Sequence, residues 1–262
     1  MNSAVAEKPV VLITGASSGI GAATAAMLAP THRVAIVGRR AEQLGSIARD
    51  TGAMPLAADI TDPAECERIV EQTIAAFGRL DGLVLNAGVS RSTRLADMPL
   101  DEWEFVIRTN LTSAFLVAKA AIPHLLKTKG AIVSVSSLSA LRTSQGFAAY
   151  SASKAGLVVM TQTIARDYGP EGLRANVVCP GWIRTEMSDM EMSEYSEATG
   201  TDKEELFRRA VEHVPARRVA QPEEAAAPIA FLLSQQASYI NGAVLSVDGG
   251  AAIVDVGTLL FG

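Results

Sequence analysis

The residues with the most chemical potential in this chain are Tyr150 and Lys154, in Tyr150-Ser151-Ala152-Ser153-Lys154. Four positions apart on a helix, their side chains share one face and are neighbours across a single turn. A free phenol titrates near 10 and is a poor proton donor or acceptor at neutral pH. Lowering it by roughly two units needs about 2.7 kcal/mol in favour of the phenolate, which a nearby ammonium can supply. Taken alone the pair also fits an ordinary surface Tyr–Lys contact, so its meaning depends on what the fold sets beside it. A second group is Thr14-Gly15-Ala16-Ser17-Ser18-Gly19-Ile20-Gly21, which follows an apolar run and opens an Ala-rich one. Glycines there allow a tight turn and close backbone approach to a pyrophosphate at a helix N-terminus. The third is Gly38-Arg39-Arg40. A site for NAD usually places an acid about 20 residues past the glycines, on the ribose 2′-OH, yet no Asp or Glu occurs between Gly21 and Glu42. Two guanidinium groups at that point would fork a 2′-phosphate. NADP is therefore the expected cofactor, NAD the alternative, and solvated surface arginines the plain reading.

Such groups need elements to position them. Short β-branched runs at Val10–Thr14, Arg33–Val37, Met54–Ala58, Leu83–Asn86, Ala131–Ser136, Ala175–Cys179 and Ala243–Val247 read as strands. Between them, Ile20–Leu28, Ala41–Asp50, Pro63–Phe77, Asp101–Lys127, Ala149–Tyr168 and Pro222–Ser234 carry helical spacing. Continuous apolar strands alternating with helices predict an α/β fold, a doubly wound Rossmann-type parallel sheet of about seven strands with helices on both faces. No repeat or linker-like shift divides the 262 residues, so one domain is expected. Glu186–Glu205 breaks the pattern: acidic, rich in Ser and Met, without an obvious strand. It reads as a solvated loop or as a substrate lid, extending over about 186–213, because open α/β sheets bind ligands just past their strand ends.

Composition narrows the function. Hydrophobic residues make up 48% and charged residues 19%, which suits a packed globule rather than a disordered chain. A net charge of −5 without a basic stripe argues against a nucleic-acid partner. No run approaches the roughly 18–20 apolar residues of a membrane span, and Met1 to Pro9 shows no secretion signal. Cys66 and Cys179 lack CxxC spacing and the three histidines are dispersed, so neither a disulfide scaffold nor a metal site is expected. A reduced, cytoplasmic location follows from that reading.

The spacing G-x-x-x-G-x-G, followed in order by Asn86-Ala87-Gly88, Tyr150-x-x-x-Lys154 and Pro180-Gly181, resembles the short-chain dehydrogenase/reductase family over nearly the whole chain. That resemblance implies a cofactor cradle of Gly15, Ser17, Ser18, Gly19, Ile20 and Gly21, with Arg39 and Arg40 at the second strand. It sets Asp59 and Ile60 against the adenine, and Asn86, Ala87 and Gly88 at the end of the fourth strand. Pro180, Gly181, Ile183 and Thr185 would meet the nicotinamide side, where Tyr150 and Lys154 also touch the cofactor. Ser137, thirteen residues before Tyr150, matches the family's substrate-binding hydroxyl, whereas Ser136 is one position off. Asn110, in Thr109-Asn110-Leu111, matches the residue that helps hold a water in a proton relay to the lysine. The activity implied is hydride transfer between nicotinamide and a small-molecule ketone or secondary alcohol. A 3-oxoacyl-carrier-protein reductase is one alternative, weakened by Glu171 where such enzymes often carry a basic residue. A non-catalytic nucleotide-binding regulator would have lost Tyr150 or Lys154.

Family members are commonly tetramers, so a homotetramer is expected, with the apolar Thr258-Leu259-Leu260-Phe261 packed against the body or a neighbour. Leu138, Leu141, Phe147, Trp182, Met187 and Met190 are expected to form an apolar substrate wall. Arg91, Arg94 and Arg142 would favour a carboxylate or phosphate if one of them pointed inward.

Overall fold

The structure is a computed structural model that describes residues 8–255 and 257. The seven apolar runs form β1 (Val10–Thr14), β2 (Arg33–Gly38), β3 (Met54–Ala57), β4 (Gly82–Leu85), β5 (Ala131–Val135), β6 (Arg174–Pro180) and β7 (Val244–Val247). They make one parallel sheet in the order β3-β2-β1-β4-β5-β6-β7. Its helices are α1 (Gly19–Leu28), α2 (Ala41–Thr51), α3 (Pro63–Phe77), α4 (Leu100–Ile107), α5 (Ser113–Thr128), α6 (Ala148–Tyr168), α7 (Glu186–Thr199), α8 (Lys203–Ala210) and α9 (Pro222–Leu233). Every residue of β1, β4 and β5 is buried, because both faces of these strands are covered. Alternate residues enter two separate cores. Leu12, Leu83 and Ile132 pack with Ile69, Val117 and Leu157 from α3, α5 and α6. Ile13, Val84 and Val133 pack with Ala25, Leu44 and Ile229 from α1, α2 and α9. The Rossmann-type expectation is met.

The strand order reverses at β1, between β2 and β4, and a crevice opens there at the strands' carboxyl ends. Its walls are tied by side chains. Thr14 Oγ1 donates to the Val84 carbonyl at 3.2 Å and accepts from the Asn86 and Ala87 amides at 3.1 and 3.2 Å. Asn86 Nδ2 donates to the carbonyls of Thr14 and Gly15, both at 3.0 Å. Gly15 has φ +66, and a Cβ built on it would lie 2.6 Å from the Ala87 Cα. Only glycine satisfies both the backbone angle and the approach.

Three expectations need correction. The helix foreseen at Asp101–Lys127 is not uniform: Arg108–Thr112 winds as a π turn between α4 and α5, with the Ser113 amide donating to the Arg108 carbonyl five residues back. Leu100–Thr128 taken together is long and apolar enough, by length and composition, to cross a membrane, contrary to the expectation that no run approaches this. Half of its apolar window is buried inside the protein, where Ala114, Val117, Ala121 and Leu125 face the sheet. Glu186–Glu205 is not an irregular loop either, since most of it is α7 and the start of α8. Thr185 and Ser188 form a reciprocal capping box, Gly200 ends α7 in the left-handed region, and Asp202 caps α8. Glu, Met and Ala are good helix formers, but only Ser188 and Met192 of α7 are buried. The helix therefore carries almost no hydrophobic stripe to read from sequence. Thr258 to Phe261 lie outside the described residues.

Asn86→Ala removes two hydrogen bonds that close the crevice, at a cost of about 1–3 kcal/mol. Thermal unfolding should show a Tm several degrees below the parent, and an unchanged Tm would show that the clamp contributes nothing.

Candidate active site

β5 ends at Val135, and the next two serines have different tasks. The Ser136 hydroxyl is buried and donates to the Lys154 carbonyl at 2.8 Å, so it fastens α6 to the sheet. Ser137 caps the short turn Leu138–Ala140, its Oγ accepting from the Ser139 amide at 3.1 Å. Its hydroxyl lies close enough to the Tyr150 phenol to pull that pKa down. Of the two serines, Ser137 is the one whose hydroxyl approaches the Tyr150 phenol. Phe147 sets an edge against the Tyr150 ring, centroids 6.2 Å apart.

Lys154 is 4% exposed. Its Nζ donates to the Val135 carbonyl at 2.9 Å and stands 5.8 Å from the Tyr150 ring centroid. Burial pushes the ammonium down to about 8. Burial likewise raises the phenol of Tyr150, against the pull of Ser137, and the charge of Glu191 raises it further. The expected depression of the phenol by Lys154 is therefore absent. The lysine is directed at the Val135 backbone carbonyl and is the more buried of the two side chains.

Asn110 is fully buried in the π turn. Its Oδ1 accepts from the Val89 amide at 2.8 Å, and its Nδ2 donates to the Val89 carbonyl at 2.9 Å and to Ser153 Oγ at 3.0 Å. The side chain positions the irregular segment at Val89, just after Asn86-Ala87-Gly88, against α6. Gly88 sits inside this cluster, where a Cβ would be 3.2 Å from Lys154 Nζ and 3.4 Å from Asn110 Oδ1.

The residues present fit a dinucleotide. Ser18 is the N-cap of α1 without bonding the helix through its side chain, so the amides of the first turn are free of a side-chain cap. Gly21 leaves no room for a Cβ, with the Gly15 carbonyl 2.5 Å from that point, and Ile20 packs into the core beneath the loop. Gly19 faces Thr185, whose Cγ2 lies 3.2 Å from a built Cβ, so the loop after β1 meets the start of α7. Pro180 pairs with Val247, the Gly181 amide donates to the Val247 carbonyl at 3.0 Å, and Ile183 bridges to Ala220. At the far end, Asp59 is exposed and holds the amide and hydroxyl of Thr61, while Ile60 is buried.

The two arginines diverge. Arg39 is exposed, and its charge helps keep the Asp59 carboxyl low, after the larger effect of the Thr61 amide. Arg40 lies on the glycine loop: its Nη2 donates to Ser17 Oγ at 3.1 Å and to Ser18 Oγ at 2.8 Å. Its Nη1 reaches both Glu186 oxygens at 2.7 Å. Glu186 was not singled out from sequence, because 146 residues separate the two partners. Of the foreseen apolar wall, Leu141 and Met190 are 47% and 60% exposed. Trp182 packs edge-on against Phe207 of α8, centroids 6.4 Å apart. Arg91 stacks over Phe105 at 5.5 Å and Arg142 donates to the Val254 carbonyl at 2.6 Å, so both have partners outside the site.

Known proteins resemble this chain over nearly its whole length. The family model described as Enoyl-(Acyl carrier protein) reductase matches residues 15–252. Protein MoaE of Klebsiella aerogenes is 39% identical over 258 residues, covering 96% of this chain and 98% of its own. The 3-oxoacyl-[acyl-carrier-protein] reductase FabG of Thermotoga maritima is 36% identical over 254 residues, covering 94% and 99%. The chain belongs to the short-chain dehydrogenase/reductase family. With the family comes the general activity, oxidoreduction of CH–OH and C=O groups with a nicotinamide cofactor. Among solved structures, the L-sorbose reductase of Gluconobacter frateurii, complexed with NADPH and L-sorbose, superimposes with a TM-score of 0.89 at 29% identity, covering 95% of this chain and 98% of that one.

Lys154 gives a pH test. Its ammonium titrates at about 8 when folded against 10.5 ordinarily, so between these values the unfolded chain binds more protons. Stability then rises with pH through that window, by up to about 3 kcal/mol, and below pH 8 the full penalty of burying the ammonium remains. Lys154→Met lacks this contribution. The stability of the parent minus that of the variant, from urea unfolding, should climb between pH 8 and 10.5, and a flat difference would refute the depressed lysine.

Proposed function

We propose that the protein is an NADP(H)-dependent reductase of a small-molecule ketone, running in reverse as a secondary-alcohol dehydrogenase. The observation that carries the reading is the meeting of Ser137, Tyr150 and Lys154 at the end of β5, beside the glycine loop. In this reading the Ser137 hydroxyl binds the substrate oxygen and stabilises charge as it develops. Tyr150 gives its phenolic proton to that oxygen in reduction and takes it back in oxidation. Lys154 supplies positive charge behind the phenol and a donor toward the cofactor ribose, while Asn110 keeps Gly88 and Val89 in place. The bound nicotinamide supplies or accepts the hydride.

Arg40 supports NADP, because its guanidinium already lies on Ser17 and Ser18. The L-sorbose reductase bound to NADPH is a relative with that cofactor. One observation favours NAD instead: the carboxylate of Glu186 fills part of the Arg40 fork. Glu171 before Gly172 weakens a carrier-protein substrate, although a relative carries that name. We read residues 1–262 as one domain, with α7 and α8 as the substrate lid. Apolar residues left exposed on α5, α6 and β7, namely Phe115, Val159 and Leu245, support a homotetramer. Two free buried cysteines suit a cytoplasmic location.

Tyr150→Phe removes the proton donor and little surface. Turnover with ketones should fall at least about a hundredfold while cofactor binding, followed by fluorescence, stays within a few-fold; a tenth of the parent rate would assign proton transfer to another group.

Arg40→Ala should weaken NADPH binding about ten- to a hundred-fold, the equivalent of a charge-assisted contact worth about 1.5–3 kcal/mol. NADH binding should change little, and Arg39→Ala should have the smaller effect on NADPH. A parent enzyme that prefers NADH overturns the cofactor assignment.

A further inference from the structure

We infer that Glu191 is a specificity-determining residue, whose carboxyl takes a hydrogen bond from a hydroxyl or ammonium group carried by the substrate beside its reacting carbon. The inference rests on the reading of Tyr150 as the proton donor and adds the substrate class. The site then selects hydroxylated or aminated ketones and alcohols over plain hydrocarbon ones, and disfavours keto acids.

Position comes first. Met187, Glu191 and Tyr195 stand four apart on α7 and share one face. The Tyr195 hydroxyl lies 3.3 Å from Ser92 Oγ, in the segment after β4. Ser92 in turn fits against Gly146, where a Cβ would be 2.8 Å from its Oγ. Gly146 precedes Phe147, the ring set against Tyr150. This chain of contacts draws the Glu191 face of α7 toward Tyr150, near enough for the carboxylate's charge to act on the phenol.

Chemistry comes second. Of the other acids on α7, Glu186 is held by Arg40 and Asp189 by Arg184 at 2.9 Å and Lys203 at 3.4 Å, while Glu194 and Glu197 are exposed. Glu191 has neither a hydrogen bond nor an ion pair among the described residues. It is half-buried, and burial together with Glu194 pushes its carboxyl up to about 7. A half-buried carboxyl without a partner gives up part of its hydration uncompensated, and such groups gather where a ligand completes them. A donor on the substrate would satisfy it. A substrate carboxylate would meet like charge, with Arg91 and Arg142 turned to Phe105 and Val254 and Arg94 exposed ahead of the short turn Leu95–Asp97. The wall across from the nicotinamide is accordingly mixed, with Glu191 between Met187 and Tyr195, where an apolar lining was foreseen.

The test is kcat/KM for four matched four-carbon substrates under one cofactor: butanone, 3-hydroxybutanone, 3-aminobutan-2-one and 2-oxobutanoate. The parent should favour the hydroxy or amino ketone over butanone by about tenfold, with 2-oxobutanoate poorest. In Glu191→Leu that ratio should collapse toward one, mainly through KM. Glu191→Gln separates the donors, because its amide oxygen still accepts from a hydroxyl but no longer neutralises an ammonium. A parent without the preference, or a preference that survives Glu191→Leu, overturns the assignment. Ligand-observed NMR on Tyr150→Phe, with and without Glu191→Leu, reads recognition apart from turnover. A donor preference there that depends on Glu191 upholds the inference even if Tyr150 proves not to be the proton donor, and its absence refutes it.

Discussion

The structure is organised around a buried ammonium. Lys154 is 4% exposed in a region assembled from four pieces of chain, and each piece is constrained by it. β5 contributes the Val135 carbonyl as acceptor. Ser136 holds the lysine's own carbonyl, fixing where α6 begins relative to the sheet. The segment after β4 passes close by with Gly88, where a Cβ would lie 3.2 Å from the ammonium nitrogen. The π turn in the helix after β4 places Asn110 so that its amide clamps the backbone of Val89 and reaches Ser153 on α6. A charge in such surroundings lowers stability, as its depressed pKa records. The geometry retains it where a phenol and a serine hydroxyl also converge.

A second constraint couples the two ends of the crevice. Arg40 joins the glycine loop to the first residue of α7 through Ser17, Ser18 and Glu186. Gly19 and Thr185 touch at the same seam. One guanidinium thus ties the loop after β1 to the N-terminus of α7. The rest of that helix is held by surface charge: Arg184 binds Asp189 and Glu204 while lying 4.1 Å over the Phe207 ring. Exposed ion pairs of this kind contribute little stability.

Much of this was determined by the sequence itself. Period and composition announce the strands, because a strand covered on both faces must be apolar throughout, and a seven-strand parallel sheet follows from their alternation with helices. The glycine loop and Tyr150–Lys154 were legible because local geometry dictates them: a positive φ, a close backbone approach, and one helical turn. Tertiary structure decided the rest. It turned Asn110 from a polar residue in a helix into a buried clamp, and separated Ser136 from Ser137 by which way each hydroxyl faces. It split Arg39 from Arg40, gave Arg40 a partner 146 residues away, and left Glu191 with none among the described residues. It also made helices of the acidic stretch after β6, which has caps and good formers but almost no apolar stripe. Pairing, burial and desolvation depend on what lies across a cleft, and neighbours across a cleft leave no periodic trace in the chain.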